Sequence, residues 1–296
     1  MFHLQQQRGS TRMMGGHHAA SGAAAWIAVT TNFHLPLGSL AERISFLPES
    51  IPLGFGLFDV SPAGIAAGAL VCAGAALVPD ADHRHATIAH SLPPVSNAVC
   101  AGIGEISGGH RNGTHSLLGM GVFTLIAWLA GMWTVDTERF GVIFPGAGIL
   151  AILLVAFALK ALKFVPDRMR KFPWLVAIPA GAFVALFSPE EQYWFVLAMA
   201  LGTAVHIAGD MLTVGGCNLL WPIKIKSPKI LRRIPLLKDV WKPSGRVAFP
   251  ILGKAGSGRE WAMCVPISIY AFLGITLPIL GIIKTRSEPL IALFGL

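Results

Sequence analysis

Charged residues are scarce in this sequence, and their scarcity excludes an ordinary soluble protein. Asp, Glu, Lys and Arg together make up 13% of the chain, whereas soluble globular proteins contain about 25%. Apolar residues account for 54%, and the mean hydropathy is +0.63. The composition therefore predicts an integral membrane protein.

Close cysteine pairs are also missing. The 4 cysteines lie far apart, which excludes a zinc ribbon and favours their interpretation as small apolar packing residues. No internal repeat occurs at a fixed period. We expect the Gly- and Ala-rich stretch before residue 26 to lead into a helix rather than to form a cleavable signal.

Long apolar runs are abundant. A helix needs about 20 apolar residues to cross a bilayer, and runs approaching this length recur along the chain. They lie at 17–33, 62–79, 115–133, 140–162, 173–188, 193–213 and 263–283. These runs predict an all-α, polytopic helical membrane protein with about six to seven transmembrane helices.

Lys and Arg are concentrated in a few stretches, which predicts the orientation because loops rich in these residues stay cytoplasmic. The stretch 160–171 holds five of them against Asp167 alone, and residues 214–262 hold ten against two acidic residues. The hairpin tip before the sixth run carries only Glu190 and Glu191. We therefore expect the N-terminus to be cytoplasmic and the C-terminus to lie outside.

Four regions follow from these patterns. We expect a flexible N-terminus at 1–16, a membrane domain at 17–223, a basic cytoplasmic segment at 224–262, and a final transmembrane helix at 263–283 with a short tail to residue 296. The basic segment has two interpretations, a solvated extension or a surface helix lying on anionic lipid headgroups. We expect no nucleic-acid binding because no recognition motif accompanies the charge.

Histidine is concentrated at the edges of the apolar runs. Seven of the ten histidines fall in four short clusters there. The clusters are His17 and His18 in GGHHAA, His83 and His85 beside Asp80 and Asp82 in PDADHRH, His110 and His115 in HRNGTHS, and His206 with Asp210 in HIAGD. Ionisable groups are costly beside hydrocarbon and mark functional sites. In the expected topology all four clusters lie at cytoplasmic helix ends, so one metal site can collect them.

His206 and Asp210 are four residues apart in the run 193–213, so their side chains share one helix face. An imidazole nitrogen and a carboxylate oxygen suit a divalent metal; zinc is expected, with manganese or magnesium as alternatives. A lone histidine at such a position is more often a packed core residue. The paired aspartate favours the metal ligand.

The segment after the second run offers carboxylates. Pro79 is expected to end the helix, and Asp80, Asp82 and His83 follow in a predicted extended loop. Hard carboxylate oxygens beside an imidazole can hold one or two metals. The alternative is an acidic turn that faces water.

The segment HRNGTHS joins a Gly-rich loop to the next apolar run, with Thr114 as the predicted helix N-cap. His110 and His115 flank Arg111, whose guanidinium suits a phosphate or another anion. The alternative is a flexible basic turn, which leaves His115 at the membrane edge unexplained.

The ordered set of motifs MMGGHHAASGAAAW, LVPDADHRHATIAHSLP, HRNGTHSLL and LGTAVHIAGDMLTVGGCNLLWP, roughly residues 13 to 223, resembles the YdjM family of inner-membrane metal-dependent hydrolases. The matching positions are His18, Gly22, Asp80, Asp82, His83, His110, Arg111, Thr114, His115, Ser116, His206, Asp210, Thr213 and Pro222. A shorter likeness relates the H-x-x-x-D helix to zinc-dependent phospholipase C and S1/P1-type nucleases. It implies phosphoester substrates.

Residues and resemblance together predict a membrane-embedded metal-dependent hydrolase that acts on a phosphoester or lipid-linked substrate at the cytoplasmic face. The expected metal ligands are His18, Asp80, Asp82, His83, His110, His115, His206 and Asp210. Asp82 is the expected general base and Arg111 the group that stabilises developing negative charge. Thr114, Ser116 and Thr213 are expected to support the ligands.

Two alternatives belong to other classes. The protein can be a non-enzymatic metal-binding membrane protein that acts as a regulator through a protein partner. It can also be a metal or proton transporter, which would place its ligands near the bilayer midplane, whereas these residues lie at the predicted helix ends.

Overall fold

The computed structural model describes residues 15–32, 34–52, 54–162, 172–187 and 193–294. The α-helices in these residues are α1 (Gly15–Thr30), α2 (Ser39–Arg43), α3 (Pro62–Ala75), α4 (Val95–Ile106), α5 (Leu117–Met132), α6 (Pro145–Ala161), α7 (Phe172–Phe187), α8 (Trp194–Met211), α9 (Pro235–Val240) and α10 (Gly258–Phe294). Short 3-10 helices lie at Val78–Asp82, Gly113–His115 and Leu231–Arg233. Two antiparallel pairs of strands complete the fold, β1 (His34–Pro36) with β2 (Ser50–Pro52) and β3 (Val135–Thr137) with β4 (Gly141–Ile143).

Apolar helices of membrane-spanning length are present, as the composition predicts. Among the described residues, three helical segments are long and apolar enough to cross a membrane: Pro62–Asp82, Trp194–Met211 and Gly258–Leu277. The predicted helical membrane class is confirmed. The predicted count of six to seven spans is not confirmed, because α1, α5, α6 and α7 have only 16 or 17 residues, fewer than the ~20 of a full span.

Helix α3 is the element against which α1 and α8 pack. Ser61 is its N-cap, and the Ser61 hydroxyl accepts a hydrogen bond from the Gly64 amide at 3.1 Å. A Cβ atom added at Gly22 of α1 would lie 2.6 Å from the carbonyl oxygen of Cys72, and one added at Gly202 of α8 would lie 2.5 Å from that same oxygen. Small residues permit such close approach between membrane helices. Glycine at these two positions therefore brings α1 and α8 to the same turn of α3.

Helix α10 is tied to the start of α1 by a buried polar pair. Nδ1 of His17 contacts a carboxylate oxygen of Glu260, and both side chains are buried. The other carboxylate oxygen accepts a hydrogen bond from the Gly256 amide at 2.8 Å. The ring of Trp261 meets the His17 ring edge-on at 4.6 Å. These contacts fix the first turn of α1, which also carries His18.

The basic segment 224–262 folds back onto the loop that follows α8. Val247 and Cys217 exchange both of their backbone hydrogen bonds, at 2.9 and 3.0 Å, and the Leu252 amide donates to the carbonyl oxygen of Leu212 at 3.0 Å. The helices that lie wholly within the segment are only three and six residues long. Among the described residues, the segment contains no long surface helix, so that interpretation is corrected. Its second half folds against the protein, whereas most residues from 224 to 240 are exposed, and the solvated segment stays a prediction.

Several charged residues on which the predicted orientation depends lie outside the described residues. They are Lys163, Asp167, Arg168, Arg170, Lys171, Glu190 and Glu191, and residues 1–14 of the N-terminus lie outside as well. The cytoplasmic placement of the N-terminus stays a prediction.

Candidate metal centre

Four segments of the fold bring the predicted ligands together. Helix α1 contributes His18, the 3-10 turn after α3 contributes both aspartates, the turn before α5 contributes two histidines, and α8 contributes one histidine and one aspartate. The residues form two metal-capable groups, Asp80, Asp82, His110 and His115 in one and His18, His206 and Asp210 in the other. Within each group the ligand atoms all lie within 4.8 Å of one another. The convergence predicted from the sequence is present.

Five of the six distances among four atoms drawn from both groups are close to those of a tetrahedral ligand set. Nε2 of His115 lies 3.1 Å from Nε2 of His206, 3.5 Å from Oδ2 of Asp210 and 3.8 Å from Oδ1 of Asp80. Nε2 of His206 lies 3.9 Å from each of those two carboxylate oxygens. Zinc binds such atoms at about 2.0–2.2 Å, which separates tetrahedral ligands by about 3.3–3.6 Å. The observed spacings bracket that range, so these residues fit a zinc-sized ion.

His206 is oriented by the end of α3. Its Nδ1 lies 2.6 Å from the carbonyl oxygen of Ala76, which can only accept a hydrogen bond. The proton therefore lies on Nδ1, and Nε2 carries a lone pair toward the centre, as a ligating imidazole requires. Asp210, one turn further along α8, shares the same helix face as predicted.

His115 is oriented by Asp82. Nδ1 of His115 lies 3.3 Å from Oδ2 of Asp82, and that oxygen also accepts a hydrogen bond from the Thr114 hydroxyl at 2.6 Å. Oδ1 of Asp82 lies 2.9 Å from Nδ1 of His110. A carboxylate behind a ligating imidazole fixes its tautomer and strengthens it as a ligand. Asp82 thus supports both histidines from behind, and Thr114 supports Asp82.

Asp210 is held by Arg111. The Arg111 guanidinium donates to Oδ1 of Asp210 at 2.7 Å and to the Thr213 hydroxyl at 3.0 Å, and the three side chains are buried. Arg111 has a positive φ of 65°, a backbone conformation that is uncommon outside glycine and is often found at functional sites. This pairing leaves Oδ2 of Asp210 directed to the four-atom set.

Buried polar atoms without partners support the same assignment. Oδ2 of Asp210, Nδ1 of His18 and Nε2 of His110 have no hydrogen-bond partner in the described part of the chain. Buried polar groups are normally satisfied, and a bare carboxylate oxygen is among the costliest exceptions. A divalent cation at the four-atom set would satisfy the Asp210 oxygen and would separate the two facing imidazole nitrogens.

The remaining predicted residues are placed as follows. His18 stacks on His206 with ring centroids 3.9 Å apart, and its Nε2 lies 3.6 Å from Oδ1 of Asp210. His83 belongs to neither metal-capable group in the described residues, although its ring lies 5.1 Å from that of His110. The Thr213 hydroxyl accepts a hydrogen bond from Arg111, which in turn holds Asp210. His18 stays a candidate ligand, and His83 lies at the margin.

Two local predictions are wrong. Asp80 and Asp82 lie in a 3-10 turn, Val78–Asp82, rather than in an extended loop; this turn directs both carboxylates to the centre. The N-cap of α5 is Ser116, which accepts a hydrogen bond from the Gly119 amide at 3.1 Å. Thr114 is not the cap, because its hydroxyl is bonded to Asp82 instead.

Some groups that hold the site residues in place were not identified from the sequence. The carbonyl of Ala76 has no side-chain signal, and the contact of His17 with Glu260 joins residues 243 positions apart. Arg246 donates to the carbonyl oxygen of His110 at 2.9 Å, yet its cation is one of ten in the basic stretch. Gly245 precedes it with a positive φ of 86°, but glycine also precedes Lys254 and Arg259, so no local signal distinguishes this cation from the others.

Comparison with known proteins gives a family match that covers more of the chain than the two metal-capable groups. A family model described as YdjM inner membrane protein matches residues 13–280, so the match continues through the basic segment and into α10. A search of curated proteins and a search of solved structures gave no match.

Proposed function

Because the chain belongs to the YdjM family of inner membrane proteins, we propose that it is a multi-pass membrane protein with a cytoplasmic N-terminus and a metal-dependent hydrolase centre on that side of the membrane. The substrate class is a phosphoester or a lipid-linked substrate. The observation that carries this proposal is the four-atom set with the partly exposed carboxylate of Asp80, whose side chain is 18% exposed while the other three ligands are buried.

The position of the ligands along their helices favours hydrolysis over transport. Asp80 follows the end of α3, His115 precedes α5, and Asp210 is the last residue but one of α8. A transport pathway needs its ion-binding groups near the bilayer midplane. Groups at helix ends lie at the level of the lipid headgroups and of the cytoplasm, where an ester can reach them.

The ion fits the chemistry of hydrolysis. A divalent cation, zinc in our proposal, supplies a polarised substrate oxygen and a water whose pKa falls from about 15.7 toward about 7. The chain would hold it with Asp80, His115, His206 and Asp210, and His18 packs against this set. His206 and His115 present lone pairs because Ala76 and Asp82 hold their other nitrogens.

We assign proton transfer to a second pair of residues, Asp82 and His110. Asp82 holds Nδ1 of His110 at 2.9 Å, while Nε2 of His110 is free of hydrogen-bond partners among the described residues. A carboxylate that orients an imidazole is a recurrent arrangement for a general base. We place the predicted role of Asp82 in this pair, with the imidazole of His110 accepting the proton of the attacking water.

Arg111 acts on Asp210 and on the charge of the site. Its guanidinium holds the carboxylate at 2.7 Å and adds a fixed positive charge in a buried environment. Such preorganised charge stabilises negative charge that develops in a transition state. In this proposal Arg111 is a positioning residue, and the direct contact with a substrate anion belongs to other cations.

Turnover by purified protein tests the proposal. Wild-type protein in mild detergent, with zinc, manganese or magnesium, would be assayed on soluble nitrophenyl phosphoesters and on phospholipids. The matched variants are His115→Ala and His90→Ala, since His90 is exposed and outside the centre. We expect metal-dependent turnover that His115→Ala abolishes and His90→Ala retains. Bound metal without turnover of any ester would instead assign the centre a structural role in a regulator.

A further inference from the structure

An apolar groove opens beside the metal centre, between the start of α5 and the basic segment. Its volume is about 390 Å³, which is within the size range of small-molecule sites. Leu117, Leu220, Ile223 and Ile225 line it and are between 46% and 65% exposed. Exposed apolar side chains gathered in one concave surface mark a site for an apolar ligand.

The groove also has a polar residue in its wall. Asn218 lines the groove and is buried, and its side-chain nitrogen has no hydrogen-bond partner within the described ranges. The backbone amide of Asn218 donates to the carbonyl oxygen of Arg111 at 3.1 Å. An unsatisfied buried donor calls for an acceptor, and this one lies next to the residue that holds Asp210.

Backbone hydrogen bonds connect the walls of the groove to the metal centre. Leu117, which lines the groove, lies two residues after His115, and its amide donates to the carbonyl oxygen of Leu219 at 3.0 Å. Arg246 lies between Gly245 and Val247, which both line the groove. The hydrogen bond from Arg246 to the carbonyl of His110 then joins this edge of the groove to the ligands.

Two cationic residues, Lys242 and Arg246, lie at that edge of the groove and have no carboxylate partner among the described residues. Lys242 donates to the carbonyl oxygen of Val214, and Arg246 donates to that of His110. Burial, then the nearby Arg246 and Arg111, lower the pKa of Lys242. Cations that crowd one another in this way favour an anion between them.

We propose that this groove binds a hydrocarbon chain of a lipid whose phosphate is held by Lys242 and Arg246 beside the metal centre. The inference rests on the proposed function and deepens it, because it names an anionic phospholipid as the substrate class. Charge complementarity supports the choice: the walls of the groove are apolar, and Lys242 and Arg246 belong to the stretch 241–247 that forms one of those walls. Its position at the start of α5, at the membrane edge, gives a lipid direct access.

Photocrosslinking tests the groove in a bilayer. The protein would be placed in phosphatidylcholine nanodiscs that contain a trace of phosphatidic acid with a diazirine near the end of one acyl chain. Crosslinked residues would be mapped by mass spectrometry. We expect crosslinks on the groove wall, between 217 and 225 and between 241 and 247, beyond those on the outer faces of the membrane helices.

Matched variants separate the apolar and the cationic parts. Ile223→Glu places a charge on the groove, whereas Ile230→Glu alters another exposed isoleucine of the same segment; we expect only the first to lower groove crosslinking, by about tenfold. Replacing Lys242 and Arg246 together by Gln should lower crosslinking by phosphatidic acid about tenfold relative to a phosphatidylcholine probe. The same change at the exposed Lys226 and Lys229 is the control.

The outcomes distinguish this inference from the proposed function. Groove crosslinks that depend on these residues, without turnover of any ester, would retain the lipid site and refute the hydrolase. Equal groove crosslinking in the Ile223→Glu and Ile230→Glu variants would overturn the lipid site. Crosslinks confined to the outer faces of the helices would overturn it as well, and neither result would affect an observed turnover of soluble phosphoesters.

Discussion

The hydroxyl of Thr114 provides a sensitive test of how the centre is built. It donates at 2.6 Å to Oδ2 of Asp82, the same oxygen that lies 3.3 Å from Nδ1 of His115. The substitution Thr114→Val keeps the shape of the side chain and removes this donor, together with the contact of 3.0 Å between the hydroxyl and Nδ1 of His115. Asp82 then loses its shortest hydrogen bond, and the alignment of His115 depends on one long contact.

The expected loss of metal affinity is between about tenfold and a hundredfold, as is typical of groups that hold a ligating histidine from behind. That loss corresponds to about 1.4–2.7 kcal/mol. It agrees with the ~1.5–3 kcal/mol of a hydrogen bond to a charged group. The typical loss of metal affinity and the typical strength of such a hydrogen bond therefore give the same binding free energy.

Zinc titration against a chelating dye measures this loss in detergent-solubilised protein. Thr124→Val is the matched control, since the Thr124 hydroxyl bonds the Met120 carbonyl within α5 at 2.8 Å and touches no ligand. We expect the control to bind zinc as wild type does. If Thr114→Val also binds zinc with wild-type affinity while remaining folded, then Asp82 does not orient His115 toward a metal, and the reasoning fails.

Further substitutions test other contacts. Gly202→Ala places a methyl group against the Cys72 carbonyl and should destabilise the protein by about 1–3 kcal/mol in thermal unfolding, whereas Gly121→Ala, with open space around it, should not. Ser116→Ala removes the cap of α5 and should cost about 1 kcal/mol with metal binding retained; loss of metal from a folded variant would show that Ser116 also supports the ligands. Asp210→Asn should abolish metal binding and, by leaving a buried guanidinium unpaired, should cost about 3–5 kcal/mol; a variant as stable as wild type would refute the buried pair.

The predictable part of the site followed from local spacing. His206 and Asp210 share a face of α8 because four residues make about one helical turn. The meeting of the clusters in space was expected from a topology that placed them at cytoplasmic helix ends, and that topology stays a prediction. Most of the candidate ligands were therefore found by looking for histidines at the edges of the apolar runs.

The remainder depended on contacts that no local pattern contains. Asp82 faces two histidines because a 3-10 turn follows α3, and a Pro-Asp-Ala-Asp stretch is equally compatible with a loop. The basic segment folds back because its amides find carbonyl partners around Leu212 and Cys217, which charge counting cannot show. The number of spans stays a prediction, since four of the apolar helices are shorter than a full span.

Metal content tests the central claim most directly. Wild-type protein, the double variant His115→Ala, His206→Ala and the control His90→Ala would be purified in mild detergent, incubated with zinc, dialysed and measured by inductively coupled plasma mass spectrometry. The account predicts stoichiometric zinc in the wild type and the control and its loss in a double variant that remains folded. A folded wild type without bound metal, or a double variant that keeps it, would contradict the account.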